Sequence, residues 1–234
     1  MRQDKSHLPP LGRLLLLVCV NTAVFAATLT AAAFDVDILD NLLLEAGAPL
    51  DWRPLSYMFA HTGLLHFLCN MGILTAFGAI ACSLGLHRFL LPLYVAGGLA
   101  GAAAFWFAAP QGALLAGSSA AVLCLVIAPS YWAYDLRLNV LPNVSVTMGA
   151  AAALVTTIAL ALPLIFGETG AAAAHAAGIG AGLLIAAVFS MPARAILTHT
   201  RRSRQELIER RRRALRKASR SGYSALTKAE KESL

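Results

Sequence analysis

Six long apolar stretches constrain this chain more than any other feature of its sequence. A helix needs about 20 apolar residues to span the hydrocarbon of a bilayer, where its backbone polar groups must be satisfied internally. Each stretch is long enough, and none shows the alternation of a barrel strand. We therefore predict an all-α polytopic membrane protein, a bundle of six transmembrane helices. The segments, called S1 to S6, are residues 11–34, 62–84, 89–110, 117–134, 145–166 and 171–191.

S1 has a second interpretation. Basic residues precede it and it ends in alanines at 31–33, an arrangement that resembles a secretory signal peptide. The apolar run is long for a signal peptide and five further spans follow, so we favour a retained helix.

Basic residues are distributed unevenly along the chain. Of the 19 Lys and Arg residues, 13 lie from Met191 onward, together with only 4 of the 12 acidic residues. Because Lys and Arg are enriched in cytoplasmic loops, we expect both termini in the cytoplasm. The expected organisation is a cytoplasmic N-terminus (1–10), a membrane domain (11–191) and a basic tail (192–234). The tail lacks interleaved aromatic residues, so we expect no nucleic-acid partner.

The loop between S1 and S2, residues 35–60, is half apolar, which is unusual for a solvated loop. We expect it in the membrane interface, buried in lipid or against the bundle, with Trp52 as an anchor. The four cysteines form no CxxC pair and have no histidine at zinc-ligand spacing. We therefore expect no metal site, no cofactor and no disulfide framework.

Among the polar residues within the apolar segments, four are singled out by their chemistry: His66 and Asn70 in S2, Ser119 in S4 and His175 in S6. Ionisable or polar groups in hydrocarbon are costly and usually functional. The topology predicts that all four lie near the extracytoplasmic surface. A hydroxyl, an imidazole that can activate it and two donors for an oxyanion are the groups used in acyl transfer.

Small residues surround these positions. Gly117 and Ala120 flank Ser119 at the start of S4, where free helical N–H groups can stabilise an oxyanion. On S6, Gly178 and Gly182 have the spacing that permits close helix packing. We therefore expect S4 and S6 to lie in close contact, as a Ser–His hydrogen bond requires.

At these residues the chain resembles the rhomboid family of intramembrane serine proteases, over residues 11–191. Residues 61–70 match the family pattern HxxxxHxxxN, residues 117–120 match GxSG, and residues 175–182 match HxxGxxxG. Trp52 and Arg53 match the first loop. The motifs occur in the family's order, on S2, S4 and S6.

The resemblance implies a role for each residue. Ser119 would be the nucleophile and His175 its general base. His66 and Asn70, with the backbone N–H of Ser119, would form the oxyanion hole, and His61 would tie down the first loop. The implied reaction is hydrolysis of peptide bonds in or near transmembrane segments of membrane proteins, within lipid, and the implied location is a bacterial inner membrane. S5 would be the lateral gate for the substrate.

The chain departs from the family pattern at two positions. Ala120 replaces the second glycine of GxSG, and its methyl group could crowd the substrate. Leu123 stands where the family usually has an aromatic residue under the base. The alternative function is therefore a weak or silent rhomboid-like protein that binds transmembrane helices. For the neighbouring Ser118, we expect a hydrogen bond to the carbonyl group four residues earlier.

The tail has its own pattern. Residues 201–220 predict a polar helix that ends at Ser221 and Gly222. Thr227 and Glu230 have the spacing of a capping box, which predicts a second short helix.

Overall fold

The computed structural model describes residues 11–49, 51–142, 144–221 and 223–232. The expected N-terminal segment, residues 1–10, and Gly222 lie outside this part. The chain divides into two compact units, Met1–Ser190 and Met191–Leu234.

The first unit is helical, as predicted. Its helices are α1 (Gly12–Ala32), α2 (Arg53–Ser56), α3 (Leu64–Ser83), α4 (Leu90–Ala108), α5 (Ser119–Trp132), α6 (Met148–Ile165) and α7 (Thr169–Val188). Within the described ranges, five helices are long and apolar enough to cross a membrane: α1, α3, α4 with the turn before it, α6 and α7. The sixth apolar helix, α5, has 14 residues and is about 21 Å long. These features confirm the all-α polytopic fold.

A hairpin lies between α5 and α6. Strand β3 (Arg137–Leu141) pairs antiparallel with β4 (Val144–Thr147). The prediction that S5 is helical from residue 145 is therefore wrong, because β-branched residues favour a strand there. Helix α6 begins only after Thr147, whose hydroxyl accepts a hydrogen bond from the N–H of Ala150 at 3.1 Å and caps the helix.

The first loop packs partly against the bundle. Its strand β1 (Leu44–Glu45) pairs antiparallel with β2 (Leu114–Leu115), which lies just before α5. Leu44 and, later in the loop, Tyr57 are buried, whereas Trp52 is 64% exposed. The loop is thereby attached to the segment that leads into Ser119.

Helices α4, α5 and α7 pack against one another, and α5 also contacts α3 and α6, so it lies at the centre of the first unit. Glycines on both neighbours permit the close approach. A Cβ atom at Gly97 on α4 would lie 3.1 Å from Cα of Ala121, and one at Gly182 on α7 would lie 2.9 Å from the carbonyl oxygen of Cys124. The predicted close packing of S4 and S6 is confirmed.

In the second unit, α8 (Ser190–Ser221) is longer than the predicted helix, and α9 (Lys228–Glu232) follows. The predicted capping box is present. The Glu230 carboxylate accepts from the N–H of Thr227 at 2.7 Å, and the N–H of Glu230 donates to the Thr227 hydroxyl at 3.3 Å. These bonds, with the ammonium group of Lys217 2.9 Å away, lower the pKa of Glu230 to about 2.

Candidate active site

Ser119 and His175 form a hydrogen-bonded pair. Ser119 is the first residue of α5 and His175 lies near the start of α7, so the close packing of these helices brings the two side chains together. The distance from Ser119 Oγ to His175 Nε2 is 2.6 Å. This is within the range for a hydroxyl that donates to an imidazole nitrogen.

The other ring nitrogen of His175 fixes which tautomer is present. Nδ1 lies 2.6 Å from the carbonyl oxygen of Ala159 on α6. A carbonyl oxygen only accepts hydrogen bonds, so Nδ1 carries the proton of the neutral ring. Nε2 is then the acceptor for the Ser119 hydroxyl, which is the arrangement needed in a general base. No residue type in the sequence signals this carbonyl group, because every residue carries one.

The pair lies in a cavity of about 610 Å³. His66 from α3 lines it beside Ser119 and His175. The rest of the lining comes from the first loop, the β2 segment, the ends of α4 and α6, and the turn between α6 and α7, and includes Leu43, Phe105, Leu115, Pro163 and Glu168. The cavity therefore combines an apolar wall with a small number of polar groups, as substrate sites generally do.

Gly117 lets the His66 ring approach the start of α5. Its φ angle is +108°, which L side chains rarely adopt, and a Cβ atom there would lie 2.7 Å from His66 Nε2. The glycine of the GxS motif thus meets two requirements, the left-handed backbone and the close ring. Beside it, the N–H of Ser119 is at the N-terminus of α5, where helical N–H groups have no intrahelical acceptor.

Asn70 is not among the residues that line the cavity. It is 5% exposed, and its Nδ2 donates to the carbonyl oxygen of His66 at 3.0 Å, within the same helix. The amide has two hydrogens and this bond uses one of them. Its assignment to an oxyanion hole stays a prediction.

His61 connects the first loop to the residue before Ser119. Its Nδ1 donates to the carbonyl oxygen of Phe59 and its Nε2 accepts from the Ser118 hydroxyl, both at 3.3 Å. The expectation that Ser118 bonds within its own helix is therefore wrong. Ser118 immediately precedes α5 and its hydroxyl points to His61 instead. Burial, and then the neighbouring His66, lower the pKa of His61 from 6.5 to about 4.

Two buried tyrosines, which the sequence analysis does not single out, connect the first loop to α4. The hydroxyl of Tyr57 donates to the carbonyl oxygen of Gly98 at 2.6 Å, and that of Tyr94 donates to Met58 at 2.8 Å. Asn21 Nδ2 donates to the Tyr94 hydroxyl at 3.0 Å. The signal was available, because Asn21 and Tyr94 are polar residues within S1 and S3, the criterion that selected His66.

Other motif residues lie around the site without entering it. Ala120 is 1% exposed and faces α4, where a Cβ atom at Gly101 would lie 2.5 Å from its methyl group. The concern that this methyl crowds a substrate is therefore misplaced. Arg53 lies 2.9 Å from the Asp51 carboxylate and 3.4 Å from that of Glu45, and so links α2 to β1.

The apolar helices define an integral, multi-pass membrane protein. A family model for the rhomboid domain matches residues 51–192, more than half of the chain, and the protein belongs to the rhomboid family. Members of this family act on transmembrane substrates and are typically serine intramembrane proteases, although the family also includes inactive members. No curated protein matches the chain.

Proposed function

We propose that this rhomboid protein is a serine endopeptidase that hydrolyses peptide bonds in or near the transmembrane segments of other membrane proteins. Ser119 is the nucleophile and His175 the general base. The observation that carries the proposal is the 2.6 Å distance between Ser119 Oγ and His175 Nε2. The described residues of the membrane helices include no Asp or Glu, in keeping with a two-residue catalytic pair.

The pair can carry out both halves of the reaction. In the first half, Ser119 Oγ attacks the scissile carbonyl carbon while Nε2 of His175 takes the hydroxyl proton. The resulting imidazolium returns that proton to the leaving amine, and an acyl-enzyme remains. In the second half, Nε2 takes a proton from water, which attacks the ester, and then protonates Ser119 Oγ as the acid product leaves.

The developing oxyanion needs donors close to Ser119. We assign this role to the N–H of Ser119, to the ring of His66 and to the second amide hydrogen of Asn70. Support for His66 comes from its place in the cavity beside Ser119. For Asn70 the support is its position one turn further along the same helix.

The topology proposed for the protein follows from its charges. Acidic residues dominate the loops near the cavity, including Asp51 and Glu168, whereas the opposite ends of the helices carry Arg88 and Arg137. By the positive-inside rule, both termini are cytoplasmic and the cavity opens outward. A bacterial inner membrane is the setting we propose, with residues 192–234 as a separate cytoplasmic tail.

Cleavage by reconstituted protein tests the function. Wild type should cleave a single-span transmembrane substrate in liposomes, and Ser119→Ala should abolish cleavage. Ser118→Ala is the matched control, because its hydroxyl bonds His61 rather than the catalytic base; it should retain most activity. Folded wild type that binds the substrate but never cleaves it would indicate the silent, helix-binding alternative.

A further inference from the structure

We infer that Pro163 is a positioning residue for the catalytic base, because its missing N–H frees the Ala159 carbonyl group to hold His175. The inference rests on the proposed function and extends it from α5 and α7 to α6. Proline is the one residue type without a backbone N–H, so replacing Pro163 by another residue tests directly whether the missing N–H matters.

Pro163 interrupts the backbone hydrogen bonding of α6. In an α-helix the carbonyl oxygen of residue i accepts from the N–H of residue i+4, so Ala159 would normally be bonded to residue 163. That residue is Pro163, which lies inside α6 and is buried. Proline has no N–H, and its ring also presses against the carbonyl group of residue i−4. The Ala159 oxygen therefore lacks its usual intrahelical partner.

This carbonyl group is the one that contacts the catalytic base. The oxygen of Ala159 lies 2.6 Å from Nδ1 of His175, 16 residues later in the chain. Pro163 itself lines the cavity that contains Ser119 and His175. An orphaned buried carbonyl group is costly, so the imidazole N–H stabilises α6 while the carbonyl oxygen orients the imidazole.

The contact with Ala159 supports the His175 ring, for which α5 offers no stacking partner. Leu123 stands on α5 at the position where the motif resemblance implies an aromatic residue. The ionisable groups that face His175 are His66 from α3 and Glu168 from the α6–α7 turn, and Ser119 contacts the ring from α5. The Ala159 carbonyl oxygen is the partner of Nδ1, so it holds the proton there and keeps Nε2 free as the base.

The first experiment restores the missing N–H. In Pro163→Ala the new N–H competes for the Ala159 oxygen, so kcat should fall roughly tenfold, as expected for losing one hydrogen bond of ordinary strength. KM for a transmembrane substrate should stay within about twofold, since the weakened hydrogen bond joins α6 to His175 and does not involve the substrate. Labelling of Ser119 by a small fluorophosphonate should slow to the same extent, which separates base positioning from substrate entry. Pro129→Ala, the matched change inside α5, should leave both rates unchanged.

A second pair of variants separates the N–H from the proline ring. Lactic acid incorporated at position 163 supplies the side chain of alanine with an ester oxygen in place of N–H, and it should rescue kcat. The hydroxy-acid analogue of leucine at position 160 turns the Ala159 carbonyl group into a weaker ester acceptor while Pro163 remains. It should lower kcat even if Pro163→Ala fails to fold.

The outcomes distinguish this inference from the proposed function. Wild-type kcat in folded Pro163→Ala, or no rescue by lactic acid, would overturn the inference while leaving Ser119 as the nucleophile. Failure of wild type itself to cleave or to be labelled would overturn the proposed function. A selective rise in KM would assign Pro163 to substrate entry, and the inference would again be wrong.

Discussion

Gly178→Ala should lower activity strongly, although it adds only one methyl group and changes no residue of the catalytic pair. It lies one turn after His175 on α7, opposite the backbone of Ala120 on α5. A methyl group there would lie 2.9 Å from Cα of Ala120 and still closer to its carbonyl oxygen. Both neighbours are backbone atoms in a helix, so neither can rotate away. The substitution Gly178→Ala must therefore separate α5 from α7.

The size of the effect follows from these distances. Ordinary contact between carbon atoms begins near 3.5 Å, so the helices must separate by about 0.5 to 1 Å. The separation would lengthen the 2.6 Å bond between Ser119 and His175 beyond the range of a good hydrogen bond. A misplacement of about 1 Å can cost about 10²-fold in rate. We expect a loss of about 30-fold to 100-fold in kcat. Overpacking should also cost about 1–3 kcal/mol in stability.

Gly180→Ala provides the matched control. It makes the same change two residues along the same helix, but a Cβ atom there has no neighbour within 4 Å. Cleavage of a transmembrane substrate in liposomes and thermal unfolding in detergent would be measured for both variants. Gly180→Ala should match wild type in rate. If folded Gly178→Ala cleaves as fast as Gly180→Ala, the close approach of α5 and α7 does not set the catalytic geometry.

Three further predictions concern the oxyanion hole, the buried histidine and the tail. His66→Ala should slow turnover by about 10²–10³ with folding intact, and a wild-type rate in matched detergent would show that the ring is not a donor. Because the pKa of His61 is about 4 in the folded protein and 6.5 when unperturbed, the unfolded state binds a proton between these values that the folded state does not. Stability should therefore fall as the pH drops from about 6.5 to 4, by up to about 3 kcal/mol; unfolding midpoints that fall equally in His61→Gln would refute this. Truncation after Thr200 removes most of α8 and should lower membrane retention modestly, because basic residues near an anionic leaflet contribute about 1 kcal/mol each, but specific activity should stay within a few-fold of full length. A folded, inactive truncation would make the tail a regulator.

The helical fold and the Ser119–His175 pair can be predicted from the sequence. Apolar segments must be helical in lipid, so their lengths locate the spans to within a few residues. Motif spacing then places Ser119 and His175 at the same ends of two helices. Gly178 and Gly182 indicate that these two helices pack closely, because a larger side chain at either position would collide with the backbone of the other helix.

The remaining features depend on the backbone or on contacts distant in sequence. The strands at 44–45 and 114–115 are too short to have a pattern of their own. The bond from His175 to Ala159 uses a carbonyl group, which every residue carries, so no residue type signals it. The expected hydrogen bond of Ser118 is the one most frequent for a helical serine, to a carbonyl group in its own helix. The fold instead brings His61 to Ser118 from the first loop.

The site of a covalent adduct identifies the nucleophile. Folded wild-type protein in detergent would be treated with a fluorophosphonate and the modified residue identified by peptide mass spectrometry. We predict a stoichiometric adduct on Ser119, lost in Ser119→Ala, greatly slowed in His175→Ala and retained in Ser118→Ala. An adduct on Ser118, or an adduct on Ser119 that forms equally fast without His175, would contradict it.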